Sequence, residues 1–392
     1  MGLEEEIKEE LMHRIIPFWR GLRDDRQGGF YSYMDFDLNV DPEYEKGCIL
    51  NSRILWFFSN AAALTGDETL LEEAGHAYEF LKNYCMDREY GGVYWAVACN
   101  GSAADVTKHT YNQAFAIYAL ASYYAVTKKE EALYEAMKLF RLIEEKCIDI
   151  YGYLEAFTRD WKPQKNEKLS ENGLLADKTM NTLLHVLEAY TELFRVTKDP
   201  AVGSALEKIL VMFREKIYNE EKQQLEVFFD KKLHTISDLY SYGHDIEASW
   251  ILDRACQVLG EEAVTRSTTN YTQKIAEKVY AQALNKDGSM NNECFCGKID
   301  TTRVWWVQAE AMVGFYNCYE KTKDEKYKRA VEGLWKYVQT HLLDSREGAE
   351  WFWDVDENGV PVSKKPIVEP WKCPYHNGRM CIEILRRVSD AA

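Results

Sequence analysis

Apolar and charged positions are distributed along this chain in alternating helical segments. Strongly apolar segments such as 114–126 lead into a short polar turn, and more charged, amphipathic segments such as 68–85 follow such a turn. This contrast predicts pairs of helices in which the first member is buried on all sides and the second has one solvated face.

The turn inside each predicted pair recurs at intervals of 62, 70, 63 and 62 residues. It is found at Thr65-Gly66-Asp67, Thr127-Lys128-Lys129, Thr197-Lys198-Asp199, Leu259-Gly260-Glu261 and Thr322-Lys323-Asp324. Self-similarity at such a period indicates a repeat architecture.

A second recurring element, rich in glycine and aromatic residues, lies between successive pairs. It is found at Gly28-Gly29-Phe30-Tyr31, Gly91-Gly92-Val93-Tyr94-Trp95, Tyr151-Gly152-Tyr153, Asp287-Gly288-Ser289 and Gly348-Ala349-Glu350-Trp351. These sequences predict short hairpin turns at one end of the helices. The corresponding interval 223–229 alternates between apolar and polar residues but has no glycine.

With the N-terminal segment and the last segment from His376, the pattern predicts about twelve helices in six hairpins. A ring of inner helices inside a ring of outer helices, an (α/α)6 barrel, buries such repeats without leaving an open end. An open helical solenoid is the alternative. The even count of helices and the aromatic-rich connectors favour closure, with residues 1–392 forming one domain.

Polar residues inside the buried helices need a separate explanation, because burying an unpaired polar group is costly. Tyr111, Asn181, His244 and Trp306 each lie 16 residues before the turn that ends their helix, so they are expected at one level of the ring. Near the same level we expect Arg53, His109, His185, Glu247, Arg303, Trp305 and His376. All six repeats therefore direct polar or aromatic groups to one end, where a small molecule could be enclosed.

Spacing within the helices suggests how the histidines are held. His185 follows Asn181 by four residues and Glu247 follows His244 by three, so each pair shares a helix face. Glu247 is expected to orient or charge His244, which would suit acid/base work near neutral pH. His244 and His376 are the main candidates for that work, while His185 could serve in chemistry or in structure.

Other residues of these types have structural explanations. Structural roles are expected for His76, His341, Glu188 and Asp177, and His109 could simply cap its helix. Glu310 could be a structural partner or a catalyst, and Arg53 could pair with a structural carboxylate. At least one of Trp305, Trp306 and Trp371 is expected to stack on a sugar ring, while one indole of the adjacent pair belongs to the core.

Composition limits the partners and the location of the protein. A formal net charge of -16 argues against nucleic acid and anionic membranes as partners, because both are bound through basic patches. The acidic N-terminal segment predicts an amphipathic helix and not a signal peptide, and no apolar stretch approaches the roughly 20 residues of a membrane span.

The ten cysteines are scattered, as expected of reduced thiols in a cytoplasmic protein. Cys294 and Cys296 have no second pair at zinc-site spacing, so no metal is expected, and a monomer is the default.

Six strings of residues resemble the N-acylglucosamine 2-epimerase superfamily and, within it, the cellobiose 2-epimerases. They are Ser52-Arg-Ile-Leu-Trp56, Lys108-His-Thr-Tyr-Asn112, Asp177-Lys-Thr-Met-Asn181 with His185, Ser241-Tyr-Gly-His-Asp-Ile-Glu247, Arg303-Val-Trp-Trp-Val-Gln-Ala-Glu310 and Trp371-Lys-Cys-Pro-Tyr-His-Asn-Gly-Arg379. They cover the chain in the family's order, so the resemblance is specific although each string alone would be weak.

The resemblance implies an (α/α)6 barrel without a metal, nucleotide or other cofactor. It implies reversible inversion at C2 of the reducing-end glucose of β-1,4-linked disaccharides, with cellobiose, lactose and mannobiose as candidate substrates. It also implies that His244 and His376 exchange the C2 proton and that His185 takes part in opening the sugar ring. Residues implied to contact the sugar are Arg53, Tyr111, Asn181, Glu247, Trp306 and Trp371.

Inversion at C2 requires an open-chain aldose, because the C2 proton is acidic only beside a free aldehyde. A base removes that proton, and an acid must return one to the opposite face of the enediolate. Arg53, assisted by Tyr111 and Asn181, is expected to stabilise charge on the aldehyde oxygen. An aldose-ketose isomerase, an epimerase of N-acylated monosaccharides, an inverting glycoside hydrolase and a non-catalytic sugar-binding module remain alternatives.

Overall fold

The computed structural model describes residues 2–169, 174–362 and 365–391, and these contain twelve helical rods. The inner helices are Cys48–Thr65, Thr110–Thr127, Met180–Thr197, Tyr242–Leu259, Trp305–Thr322 and His376–Ala391. The outer helices are Leu3–Glu10 continued by Leu11–Ile15 and Ile16–Gly21, Thr69–Phe80 continued by Leu81–Cys85, Glu130–Lys146, Pro200–Met212 continued by Phe213–Ile217, Glu262–Ala283, and Glu325–Tyr337 continued by Val338–Leu342. The predicted number of helices is confirmed for the described residues.

The turn that ends each of the first five inner helices has one geometry. A residue in the left-handed region, with φ between 52° and 82°, follows the helix at Gly66, Lys128, Lys198, Gly260 and Lys323. In four of these turns the threonine before it accepts the N–H of the residue after it. The turn therefore satisfies backbone groups at the helix end, which explains why its sequence recurs.

Each outer helix is followed by a tight antiparallel connection at the same place in the repeat. The six bridges are Arg23 to Phe30, Met86 to Val93, Ile148 to Tyr153, Tyr218 to Leu225, Leu284 to Met290 and Leu343 to Trp351. The fourth connection, which lacks glycine, places Gln223 in the left-handed region with φ of 52°. A non-glycine residue thus takes the conformation that glycine provides more easily in the other repeats.

Short strands in the connectors complete the structure. They pair in seven small sheets of the described chain: Lys46–Gly47 with Ala96–Val97 and Ala103–Asp105; Lys108–His109 with Ala156–Phe157 and Pro163–Gln164; Ile148–Asp149 with Gly152–Tyr153; Lys178–Thr179 with Phe228–Phe229; Tyr218–Asn219 with Gln224–Leu225; Tyr240–Ser241 with Glu293–Phe295 and Lys298–Asp300; and Arg303–Val304 with Asp354–Val355. All pairings are antiparallel.

The inner helices form a closed ring. Each contacts the next along the chain, and the sixth, His376–Ala391, contacts the first, Cys48–Thr65. The N-terminal helix packs against the sixth inner helix, so the two ends of the chain complete the last hairpin. Closure confirms the predicted (α/α)6 barrel and shows that the alternative of an open solenoid is wrong.

The inner helices are largely buried, and their N-terminal ends all lie at the end of the barrel that carries the hairpin connections. Among the described helices, none is long and apolar enough to cross a bilayer.

Candidate active site

A cavity of about 260 Å³ lies at the N-terminal ends of the inner helices. All ten predicted site residues line it, namely Arg53, Tyr111, Asn181, His185, His244, Glu247, Trp305, Trp306, Trp371 and His376, together with Lys168, Leu169 and Trp353. A larger groove of about 650 Å³ lies beside the N-terminal helix, but no inner helix contributes to it. The smaller cavity is therefore the candidate active site, because it gathers the polar groups of the inner ring.

His244 is held by a neutral hydroxyl group. Its Nδ1 lies 2.7 Å from the Ser241 Oγ, and its ring centroid lies 4.8 Å from that of Trp306. Burial, and then the neighbouring His185, lower the pKa of His244 to about 3 against the opposing effect of Glu310. His244 is therefore neutral at physiological pH and can accept a proton.

His376 is held by a carboxylate. Its Nδ1 lies 2.8 Å from the Glu310 Oε1, and its ring lies 5.5 Å from that of Trp306. Burial, followed by the charges of Arg379 and Arg53, lowers the pKa of His376 well below its ordinary value. Burial also raises the pKa of Glu310. A single proton can therefore be shared along this hydrogen bond, and Glu310 fixes which ring nitrogen faces the cavity.

Arg379 is the main residue of the site that the sequence did not single out. This buried guanidinium, on the same helix as His376, binds carboxylates from three other inner helices: Glu188 at 2.5 Å, Glu310 at 2.6 Å and Glu247. The prediction that Glu247 charges His244 is wrong, because its carboxylate turns to Arg379. Burial and repulsion by Glu310 raise the pKa of Glu247. Burial also raises the pKa of Glu310, so Glu247 and Glu310 keep their protons to higher pH than isolated carboxyl groups do.

His185 belongs to the same network through a residue expected to be structural. Its Nδ1 lies 3.0 Å from the Glu188 Oε2, and its ring lies 5.0 Å from that of Tyr111. Burial, opposed by Glu188, lowers the pKa of His185. Burial disfavours ionisation of Glu188, but the charge of Arg379 and the bond to His185 hold its pKa at about 2. Glu188 therefore orients a neutral His185.

Hydrogen-bond donors gather on the side of the cavity formed by the first and second inner helices. The Arg53 Nη2 donates to the Tyr111 hydroxyl at 2.8 Å, and the Arg53 Nη1 donates to the Trp371 carbonyl at 3.3 Å. Because Tyr111 accepts from a cation, its own O–H is available for a ligand. Among the described residues, the Asn181 Oδ1 and the Arg53 Nε have no hydrogen-bond partner. No carboxylate in the described part of the chain pairs with Arg53, so the alternative of a structural ion pair is wrong.

The tryptophans differ in exposure. Trp306 and Trp371 are partly exposed to the cavity, whereas Trp305 is buried, with its ring 4.7 Å from that of Trp353. This agrees with the expectation that one indole of the adjacent pair belongs to the core. Trp353 was missed because it lies in a connector outside the helical repeat.

Two residues predicted near this level do not reach the cavity. His109 precedes its helix but makes no capping bond with its side chain, and instead lies 3.1 Å from the Asn166 Oδ1. The capping explanation for His109 is therefore wrong. Arg303 bonds to Ser289 and Asn291 in its own connector. Both residues belong to the framework around the site.

A buried carboxylate in a connector anchors the segment that carries Trp371 and His376. The two oxygens of Glu350 accept from the Lys372 Nζ at 2.8 Å and from the Asn377 Nδ2 at 2.7 Å. The anchored residues directly follow Trp371 and His376. Glu350 therefore holds both ends of this segment, a role that no spacing in the sequence revealed.

Glu247, Glu310 and His376 have possible metal-ligand atoms within 4.8 Å of one another. The guanidinium of Arg379 already bonds to both carboxylates. A divalent cation would have to displace this buried positive charge, so the donor set fits an arginine-centred ion cluster better than a metal site.

Comparisons with known proteins agree with the geometry. The sequence profile of the family described as N-acylglucosamine 2-epimerase (GlcNAc 2-epimerase) matches residues 28–377. A protein named cellobiose 2-epimerase from Ruminococcus albus is 50% identical over 385 residues, covering 98% of this chain and 99% of that one. Another of that name from Eubacterium cellulosolvens is 48% identical over 399 residues, covering 97% and 98%. The solved structure of cellobiose 2-epimerase from Bacillus thermoamylovorans B4167 is 48% identical, has a TM-score of 0.95, and the match covers 98% of this chain and 99% of that one.

Proposed function

Since the chain belongs to the N-acylglucosamine 2-epimerase family, we propose that it is a cellobiose 2-epimerase. The reaction is reversible inversion at C2 of the reducing-end glucose, converting cellobiose into 4-O-β-D-glucosyl-D-mannose and lactose into epilactose. Residues 1–392 act as one catalytic domain, and the ten free cysteines support a cytoplasmic location. The observation that carries the proposal is that His244 and His376, from different inner helices, both contact the ring of Trp306 in one cavity.

Binding and ring opening come first in the proposed reaction. The exposed indoles of Trp306 and Trp371 offer flat apolar surfaces to the C–H faces of the sugar. His185, neutral and oriented by Glu188, moves the proton between the anomeric hydroxyl and the ring oxygen. Ring opening produces the aldehyde that makes the C2 proton acidic.

Proton removal at C2 then creates negative charge on the aldehyde oxygen. Arg53 and the Tyr111 hydroxyl donate hydrogen bonds to this oxygen, and Asn181 aligns a neighbouring hydroxyl group. Such preorganised donors are worth roughly 10²–10³ in rate for each donor. They face a buried cavity, where electrostatic interactions are stronger than in water.

The two imidazoles exchange protons with opposite faces of C2. In one direction His244 removes the proton while the His376–Glu310 pair donates one to the other face. In the reverse direction the roles are exchanged. Arg379 keeps Glu310 in place and balances part of the negative charge of the carboxylate cluster.

The product formed from cellobiose tests the proposal. We expect NMR spectra of the purified protein with cellobiose to show glucosyl-mannose, with His234→Ala, a change at an exposed histidine, as a fully active control. A fructose-type product would identify an isomerase, and free glucose a hydrolase. No change in cellobiose, with conversion of N-acetylglucosamine instead, would identify the monosaccharide epimerase.

A further inference from the structure

Two buried guanidinium groups belong to the candidate active site, and they differ in their counter-charges. Arg379 bonds to three carboxylates of the inner ring. Arg53, which is 2% exposed, bonds instead to uncharged groups: the Tyr111 hydroxyl, the Trp371 carbonyl and, at 3.9 Å, the Cys373 Sγ. Within the described chain, the positive charge of Arg53 therefore has no bonded counter-ion, although Arg53 lines the cavity.

Aromatic rings surround the charge of Arg53 without neutralising it. The Arg53 Cζ lies 4.2 Å from the ring centroid of Phe115 and 4.7 Å from that of Tyr375. The quadrupole of an aromatic ring attracts a cation, but the ring carries no net charge. Burying an ion without a counter-ion is costly, so the charge of Arg53 favours an anion that enters the cavity.

The positive charge of Arg53 also acts on two histidines of the same cavity. Burial, followed by the charges of Arg379 and Arg53, lowers the pKa of His376. Burial, opposed by Glu188, lowers the pKa of His185, and Arg53 adds to this lowering. An anion bound beside Arg53 would therefore meet a positive potential and neutral imidazoles.

The carboxyl group of Glu247 also lines the cavity, but it does not compete for Arg53. It accepts a hydrogen bond from Arg379, and burial raises its pKa, so it carries less negative charge than a free carboxylate. The negative charge of the site is thus gathered on Arg379, and the Arg53 side of the cavity is left for a ligand.

We propose that the candidate active site binds aldonates, the C1 carboxylates of the same β-1,4-linked disaccharides, and that Arg53 recognises the carboxylate. This inference rests on the proposed function, in which C1 faces Arg53 and Tyr111. An aldonate has an open chain and carries negative charge where the enediolate develops it, so it is complementary to the same donors. The C2 proton beside a carboxylate is far less acidic than that beside an aldehyde. The aldonate therefore binds without reacting and inhibits the enzyme.

Two open-chain ligands that differ only at C1 test this inference. Cellobionate has a carboxylate at C1, whereas cellobiitol has a CH2OH group, and neither forms a hemiacetal ring. Isothermal titration calorimetry near neutral pH gives both dissociation constants, and competitive inhibition of cellobiose conversion checks that both ligands occupy the active site. We expect the wild-type protein to bind cellobionate roughly tenfold more tightly, because hydrogen bonds between charged groups are about twice as strong as neutral ones.

Arg53→Gln and Lys168→Gln form a matched pair of variants. Both side chains line the cavity and each change removes one positive charge, but the Lys168 Nζ already lies 2.7 Å from the Asp105 Oδ2. Glutamine keeps a hydrogen-bond donor at either position. We expect Arg53→Gln to bind the two ligands with nearly equal affinity and Lys168→Gln to retain the preference of the wild-type protein for cellobionate.

The aldonate inference would be overturned if the wild-type protein bound cellobiitol as tightly as cellobionate. Loss of the preference in Lys168→Gln, or its retention in Arg53→Gln, would also overturn it. If circular dichroism shows that Arg53→Gln does not fold, the wild-type comparison and Lys168→Gln still decide. These results leave the proposed function intact as long as the wild-type protein converts cellobiose, whereas a wild-type protein inactive on cellobiose would overturn both proposals.

Discussion

His244 and His376 both contact the indole of Trp306, but the partner behind each imidazole differs. His244 has the hydroxyl of Ser241, whereas His376 has the carboxylate of Glu310, itself bound to Arg379. A hydroxyl fixes the orientation of a neutral ring, while a carboxylate can also stabilise or supply a proton. In the proposed mechanism the His244 side therefore supplies a base and the His376 side a proton-carrying pair, as inversion in two directions requires.

Removing the side chain of His244 or His376 should lower the rate of epimerisation more than any other change. We expect His244→Ala and His376→Ala each to lower kcat for epimerisation by roughly 10³-fold or more, since a positioned acid or base contributes about 10²–10⁴-fold. Product formation from cellobiose measures this, with circular dichroism confirming the fold. Near-normal activity in either variant would remove that histidine from the proton-transfer steps.

Replacing the partner of His376 should lower kcat more than replacing the partner of His244. Glu310→Gln is expected to lower kcat roughly 10²-fold, because it removes the charged partner of His376, whereas Ser241→Ala removes one neutral hydrogen bond and should cost about tenfold or less. Glutamine has a single acceptor oxygen, so it can keep the bond from Arg379 only by turning its NH2 group towards Trp250, which also donates. Steady-state kinetics of both variants provide the measurement. Equal losses would show that the two imidazoles are held in equivalent ways.

In the pH profile of kcat/KM, the acid limb should lie well below the ordinary histidine pKa, and the alkaline limb should come from buried carboxyl groups. Burial lowers the pKa of His244 to about 3, and the base works only when neutral, so activity should persist below pH 6.5 and fall only at lower pH. Burial raises the pKa of Glu247 and Glu310, so the loss of the shared proton should produce the alkaline limb. An acid limb centred at or above the ordinary value of about 6.5 would contradict this.

The ring of Trp306 contacts both histidines. Replacing Trp306 should nevertheless change the kinetics less than the changes described above. Trp306→Phe keeps an aromatic face but reduces its area, so KM should rise about two- to tenfold with little change in kcat. Trp161→Phe is the control, because this indole lies in a connector, packs on Phe157 and does not line the cavity. A fall in kcat without a rise in KM would mean that Trp306 aligns the imidazoles and does not bind the sugar.

The repeat made the fold and the ring of site residues predictable. The turns at Gly66 and Gly260 mark the ends of inner helices of equal length, so Tyr111, Asn181 and His244 could be placed at one level from spacing alone. These features are local, because each depends on residues within one helix and its turn.

The partners of those residues could not be predicted in the same way. Helical spacing allowed Glu247 to face His244, but the carboxylate is bound by Arg379 from another helix, and no pattern within one repeat shows such a contact. The structure also joins His185 to Glu188, three residues away on the same helix, although only a structural role was expected for Glu188 from the sequence. Lys168 and Trp353 lie in connectors outside the period, so nothing in the repeat placed them at the cavity.

Exchange of the C2 proton in D2O tests the two-histidine account most directly. With one histidine removed, the other can still take a proton from one face of C2 and return deuterium to that face. We expect His244→Ala and His376→Ala to be complementary by NMR: one variant exchanges C2 of cellobiose only, and the other exchanges C2 of glucosyl-mannose only, without interconversion. A single variant that exchanges both epimers, or that still interconverts them, would contradict proton transfer at opposite faces by His244 and His376.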